Sequence, residues 1–386
     1  MDIIFGITLG IIVLTILVVI HELGHALVAK KYGVVVEEFG VGFPPRAWGK
    51  KLASSLLGKN VLYSINWLPL GGFVKLQGEH DAAHKQGDYG AATFWQKTQI
   101  LLAGVAMNWL AAAVLLSILA AIGMPKILDN QFHIPSDTVF SRQPVEIVAV
   151  SPNLPAAKAG LQQGDKIVRF NGAPLETAND LSNASKANAG KTVKVIYLRN
   201  NIESEAAVTL RANNDDRKGY LGASPVQQEL LRASWSAPIV GIGTTAQMTW
   251  VTLQGLGSVL SDAAQGLVNK VFGNASEKAA ADKKLSAVGD SVAGPVGIFG
   301  VIFPAAQKAG PTHVLMLAAI ISLTLAVMNI LPIPALDGGR WFVTAAFRVF
   351  KKPLTKELEE KIHGTGFMIL MALVVLITIA DIGKLR

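Results

Sequence analysis

The chain opens with an uninterrupted apolar run from Ile3 to Ile20, followed by His21-Glu22-Leu23-Gly24-His25, after which the apolar pattern resumes as far as Ala29. A membrane helix needs about 20 such residues to cross a hydrocarbon core of about 30 Å. The polar group therefore falls inside a predicted span that ends at Lys30 and Lys31. Three further stretches, Gln99 to Gly123, Val314 to Leu336 and Gly364 to Ala380, carry no charged side chain. They predict a second, third and fourth span. Between the second and third spans the period changes: β-branched runs at Val145 to Val150, Thr192 to Leu198 and Ala206 to Leu210 alternate with turn residues, predicting a small α+β module over 144–223. Gly40-Val41-Gly42-Phe43, Val61 to Ile65 and Leu68 to Lys75 are too apolar for a free loop and too glycine-rich for a helix. They predict membrane-associated β-hairpins. Ser236 to Gly273 is semi-apolar but rich in Thr, Gln and Gly, which favours helices lying against the membrane face over a fifth span at Ile239 to Leu260. Asn274 to Asp290, rich in Ala, Lys, Asp and Ser, reads as a solvated loop, and Gly294-Pro295-Val296-Gly297 marks a return toward the third helix.

Composition agrees with a polytopic helical membrane protein carrying some water-exposed mass: 386 residues, 51% hydrophobic, 16% charged. The first span lacks a basic start and carries the polar motif, so it is expected to be a retained helix rather than a cleaved signal. Residues 30–97 hold nine Lys/Arg against five Asp/Glu, and residues 340–361 six against three. Both segments are therefore predicted to face the cytoplasm. Residues 124–312 are near balance, 18 basic against 15 acidic, and are predicted to lie outside with both termini; Lys384 and Arg386 oppose this only weakly. The net charge of +8 then reflects topology, and nucleic-acid binding is not expected. The chain has no cysteine, so any metal must be held by His and carboxylate.

Two histidines four residues apart share one helix face and can bind one metal while Glu22 reaches its water, the pattern of metal-assisted peptide hydrolysis. At about 1.5 Å per residue from Lys30, His21 lies roughly 13 Å inside the basic end of the span. An ionisable group at that depth needs a partner such as zinc. The extended metzincin pattern is absent, since Val28 and Lys31 stand where it wants Gly and His. The best third ligand is Asp337, in Asn329-Ile330-Leu331-Pro332-Ile333-Pro334-Ala335-Leu336-Asp337-Gly338-Gly339. There Pro332 and Pro334 break the third helix, which is tolerated at membrane depth only beside a cavity. The bland reading is a helix that simply stops at the interface with Asp337 reaching water.

With these motifs assembled, the chain resembles the site-2 protease family of intramembrane zinc metalloproteases, in its bacterial regulator-of-sigma-E branch. The resemblance spans nearly the whole length. It implies that His21, His25 and Asp337 hold Zn2+, that Glu22 is the general base, and that Asn329, Pro332 and Pro334 position an extended substrate strand. It also implies single-pass transmembrane substrates, such as an anti-sigma factor or a remnant signal peptide, and a site near the cytoplasmic side of the inner (plasma) membrane. Ser151 to Ile167 and Asn171-Gly172 resemble the permuted PDZ domains of bacterial proteases, whose groove accepts a peptide tail; exclusion of bulky ectodomains is the other role such a module could play. Many relatives in this branch carry two such modules, whereas this chain has room for one. Asn108, among small residues of the second helix, matches a family position, but a buried Asn there more often packs helices and is left outside the catalytic set. The expected parts are thus a membrane part at 1–123, the PDZ-like domain at 144–223, extracytoplasmic surface helices and loop at 224–312, and a second membrane part at 313–386. The rival function is a membrane-embedded PDZ scaffold with a non-catalytic metal site.

Overall fold

The computed structural model describes residues 2–384 other than 217 and 292; Arg386, weighed above for orientation, lies outside them. In chain order the elements are α1 (Asp2–Lys31), β1 (Val36–Ser55), β2 (Gly58–Leu76), α2 (Phe94–Ile122), β3 (Met124–Pro125), β4 (Val139–Arg142), β5 (Val145–Val150), α3 (Pro155–Lys158), β6 (Lys166–Phe170), β7 (Ala173–Pro174), α4 (Ala178–Ala187), β8 (Thr192–Arg199), β9 (Ile202–Thr209), β10 (Ala223–Val226) and β11 (Glu229–Arg232). Then follow α5 (Ala237–Phe272), α6 (Ala275–Ser291), α7 (Pro295–Gly297), a π-helical turn Ile298–Ile302, α8 (Phe303–Ala309), α9 (Pro311–Asn329), α10 (Asp337–Val349) and α11 (Lys356–Lys384). They form two compact units, Met1–Ala121 with Trp235–Arg386, and Ile122–Ser234.

In the first unit α1, α2, α9 and α11 are long and apolar enough to cross a membrane. Apart from its polar motif the first helix is almost wholly apolar, as a membrane span requires. It stops where Gly33 takes a positive φ of 77° just past the two lysines. The strands β1 and β2 each bend into two arms, so that residues 36–41 pair with both 72–76 and 62–65, while 46–55 pair with 58–66. The arm 72–76 is one edge of this sheet and packs beside α1. At the bend Phe43, Trp67, Leu68 and Leu70 are exposed, and the Thr15 hydroxyl in α1 donates to the Pro69 carbonyl at 2.8 Å. This apolar tip thus lies alongside the middle of α1.

The helices α1 and α2 approach closely at Gly24, where an added Cβ would lie 2.5 Å from the Ala103 carbonyl oxygen. Small residues at such a crossing let backbones touch, the usual means of helix association in lipid. Between α9 and α10 the chain breaks over 330–336, then restarts as a helix at Asp337. Gly338 and Gly339 permit the fold-back: a Cβ at Gly339 would sit 1.9 Å from the Ile333 carbonyl oxygen.

Two expectations are corrected. The stretch 236–273 forms one 36-residue helix, Ala237–Phe272, rather than several, and its first turns are buried against α2, with Gly241 against Ser117. Residues 274–290 are not a loop but most of α6, a 17-residue helix. Asn274 caps it: its side-chain oxygen accepts the Glu277 N–H at 3.0 Å while Glu277 accepts the Asn274 N–H at 2.7 Å. That reciprocal cap and the strong helix propensity of Ala, Lys and Glu outweighed the polarity on which the loop expectation rested.

The second unit is a six-stranded sheet ordered β10-β5-β6-β8-β9, with β7 pairing β6, and a separate three-stranded sheet β3-β11-β4. Alternation along β8 buries Val193, Val195 and Tyr197 on one face, where they join Val145, Ile147, Ile167, Phe170, Leu181 and Val208 in one core. Helix α4 starts at a capping box, Thr177 and Asp180 bonding each other's backbone N–H. Within this unit Asp165 is buried and held by Arg199 through Nε and Nη2, each at 2.7 Å.

Candidate metal centre

His21 and His25 stand one turn apart on α1, both buried, with ring centroids 4.7 Å apart and planes at 84°. Their Nε2 atoms are 3.1 Å apart, and Asp337 Oδ2 lies 3.0 Å from one and 3.3 Å from the other. A tetrahedral zinc with bonds of about 2.0–2.2 Å spreads its ligand atoms to edges of about 3.3–3.6 Å. The triangle is therefore slightly tight but of the right size, and the donor set of two imidazoles and a carboxylate is that of a catalytic zinc with an open fourth position. Among the described residues these three form the one cluster able to hold a metal ion.

The ring of His25 is oriented by the Ile100 carbonyl, which accepts from Nδ1 at 2.7 Å and leaves Nε2 with a free lone pair. Gly104 makes room for both rings: a Cβ there would fall 2.4 Å from His25 Nε2 and 2.7 Å from His21 Cε1. Glu22 shares with His25 and Asp337 a cavity of about 440 Å3 that Phe73, Val74, Tyr89 and Arg340 also line. Its Oε2 accepts the Val74 N–H of the sheet edge at 3.0 Å, so the carboxylate is aimed by the two-stranded sheet. Asn329 at the end of α9 brings Nδ2 to 3.4 Å from His21 Nε2. Pro332 lies in the broken segment, and Pro334 packs its carbonyl against Gly366 of α11. The structure thus draws Asn329 directly to the ligand cluster and leaves the two prolines in the break that precedes Asp337.

One turn beyond Asp337, Arg340 closes the polar end of the cavity. Its Nη1 donates to Glu79 Oε1 at 2.8 Å, its Nη2 donates to the Glu79 carbonyl, and its guanidinium lies 4.8 Å from the Tyr89 ring centroid, with Glu359 beside it. Burial alone would lower the Arg340 pKa, but Tyr89, Glu79 and Glu359 together hold it above its ordinary value. Burial likewise pushes the Tyr89 hydroxyl up.

A two-His, one-Asp cluster with an adjacent Glu, inside a bundle of apolar helices, defines a membrane-embedded metallopeptidase. The chain belongs to peptidase family M50, whose sequence profile matches residues 9–373. A Clostridium perfringens protein is 30% identical over 366 residues, covering 95% of each chain. The regulator of sigma-W protease RasP of Bacillus subtilis is 27% identical over 458 residues, covering 97% of each. A zinc metalloprotease RasP from Geobacillus kaustophilus is 27% identical over 455 residues, again 97% of each. The PDZ domain of an SdrC-like protein from Listeria innocua is a structural neighbour of 27% identity, covering 22% of this chain and 93% of that one, with a TM-score of 0.19. The chain is a zinc metalloprotease of the site-2 protease kind, a multi-pass membrane protein with a β-rich domain.

Gly104, the Ile100 carbonyl and the Val74 N–H are not identified by the motifs. Two of the three act through the backbone and leave no trace in residue type. Gly104 carried a signal, lying four residues before Asn108 in a small-residue stretch, but that signal reads as packing.

Proposed function

We propose that this protein cuts single-pass membrane proteins within or next to their transmembrane segments, in regulated intramembrane proteolysis; a Bacillus subtilis relative is named a regulator of sigma-W protease. An anti-sigma factor, a remnant signal peptide or another single-pass protein would be such a substrate. His21, His25 and Asp337 hold the zinc. When bound, zinc supplies Lewis-acid polarisation of the scissile carbonyl and lowers the pKa of the attacking water. Glu22 takes the proton from that water and returns it to the leaving amine. A substrate helix arrives with its backbone groups paired internally, and in lipid they need replacement partners. The 72–76 edge supplies them by strand addition, and Ala335 and Leu336, which follow the segment containing Asn329, Pro332 and Pro334, line the same cavity. The single observation that carries this reading is that Glu22 faces the same cavity as His25 and Asp337 while hydrogen-bonded to the sheet edge where the strand would add.

The excess of Lys and Arg in the loops around the site supports a site near the cytoplasmic face of the plasma membrane and residues 122–234 outside, where a PDZ-like groove would take a peptide tail or the module would exclude large ectodomains. The test is cleavage of a tagged single-pass substrate in detergent by wild type and Glu22→Gln at matched zinc content. Cleavage inside the apolar segment by wild type, with turnover reduced about 10²–10⁴-fold in the variant, is expected. Zinc-loaded wild type that cuts no substrate would favour a scaffold built around a non-catalytic metal.

A further inference from the structure

A histidine that gives its Nε2 lone pair to a metal carries its proton on Nδ1, and a buried Nδ1–H needs an acceptor that also sets the ring plane. His25 has one in the Ile100 carbonyl at 2.7 Å. For His21 the neighbour is Asn108 on α2, fully buried, whose Nδ2 stands 3.5 Å from His21 Nδ1. In that orientation the amide donates to Nδ1 and suits the imidazole tautomer whose Nε2–H points at Asp337, 3.0 Å away. The other end of the same amide, Oδ1, is buried and has no hydrogen-bond partner among the described residues. The two ends of an Asn side chain differ by a half-turn about one torsion and are assigned from their hydrogen bonds. Turning it places the unsatisfied oxygen against Nδ1, where the ligand tautomer of His21 offers a proton.

We propose that Asn108 is the positioning residue of His21, its amide oxygen accepting the Nδ1–H so that Nε2 faces the metal. Both histidines are then oriented from α2: one by the backbone at Ile100, the other by a side chain two turns further on. Asn108 itself is tied down because its backbone carbonyl accepts the Ser322 hydroxyl of α9 at 2.8 Å. The role is distinct from helix packing, because it needs an acceptor atom and not merely a small polar volume.

The proposal rests on His21 being a zinc ligand. Its test is zinc affinity, measured by competition with a chelator, for the full-length protein in detergent as wild type, Asn108→Asp, Asn108→Leu, Asn108→Ala and Ser322→Ala. Asp keeps the acceptor and Leu keeps the bulk. Asn108→Asp should bind zinc within a few-fold of wild type, whereas Asn108→Leu and Asn108→Ala should bind about 10–100-fold more weakly, the usual cost of losing a group that orients a ligand. Cleavage by the weak binders should return in excess zinc with KM unchanged. Ser322→Ala, which removes the hydroxyl bonded to the Asn108 carbonyl but leaves the amide itself in place, should weaken zinc less than Asn108→Leu does. If Leu fails to fold, the comparison of Asp with Ala decides. Zinc held as tightly by Leu or Ala as by wild type, or lost as badly by Asp, would overturn the role of Asn108 alone; a wild type that binds no zinc would overturn the ligand assignment beneath it.

Discussion

At the scale of the residue, the site depends on missing atoms as much as on present ones. Gly104→Ala would put a methyl carbon 2.4 Å from His25 Nε2, so we expect zinc content after dialysis to fall below one-tenth of wild type while the protein still inserts in membranes. Metal analysis of the purified variant checks this, and full zinc retention would contradict it. Gly339→Ala forces a Cβ to 1.9 Å from the Ile333 carbonyl oxygen, which backbone alone must relieve. Displacing the start of α10 moves Asp337, so that variant should lose both zinc and cleavage. His21, Glu22, His25 and Asp337 were legible because their spacing and depth carry chemical meaning by themselves. Gly104, Ile100 and Val74 were not, because a close approach, a carbonyl and an amide N–H become functional only once other elements are placed against them.

At the scale of the element, the long apolar helices and the alternating strands follow their patterns, and failures came where local capping competed with composition. The polar stretch ahead of 290 is helical because Asn274 and Glu277 cap each other, a signal present in the residues but outweighed by their polarity. The small sheet β3-β11-β4 offers a pH test. Glu229 accepts from Lys126 at 2.8 Å and from Arg142 at 3.1 Å, and these hydrogen bonds hold its carboxyl below the model-peptide value of 4.5. A carboxyl whose pKa is depressed on folding stabilises above its unfolded value, and that contribution is lost as pH falls through the folded one. Amide exchange in 229–232 should therefore speed up below about pH 4.5 in wild type, relative to the core strand β8. In Glu229→Gln it should show no such step, and a step that persists would assign it to another group. Deeper in the same unit, Asp165→Ala leaves Arg199 and the Gln162 N–H without their buried acceptor. This should cost about 2–3 kcal/mol, read as a lower denaturation midpoint.

At the scale of the whole molecule, a metal held by His21, His25 and Asp337 would tie α1 to α10 across more than three hundred residues of sequence. A ligand that binds only the folded state adds to its stability, so chelation should lower the melting temperature of wild type by several degrees and leave His25→Ala unchanged. Orientation is testable because the chain has no cysteine of its own. Ser182→Cys in residues 122–234 should react with a membrane-impermeant maleimide on intact spheroplasts, and Lys50→Cys in the re-entrant sheet only after lysis. The reverse pattern would invert the topology argued from the charge of the loops.

Residue order alone determined the number of apolar spans, the HExxH motif within the first, Asp337 as the acidic group to look for beside it and the change to a strand period in the middle of the chain. Each of these is written in a local period or a fixed spacing, and hydrophobic burial and metal chemistry read such spacing directly. Only tertiary structure decided that the Glu22 carboxylate meets the Val74 N–H, that Gly104 lies under both imidazoles, and that an amide on α2 has an oxygen to spare beside His21. These are pairings between segments far apart in sequence. Which atoms meet there is set by how closely two helices can cross and by where a bent sheet comes to rest, and no local pattern carries either quantity.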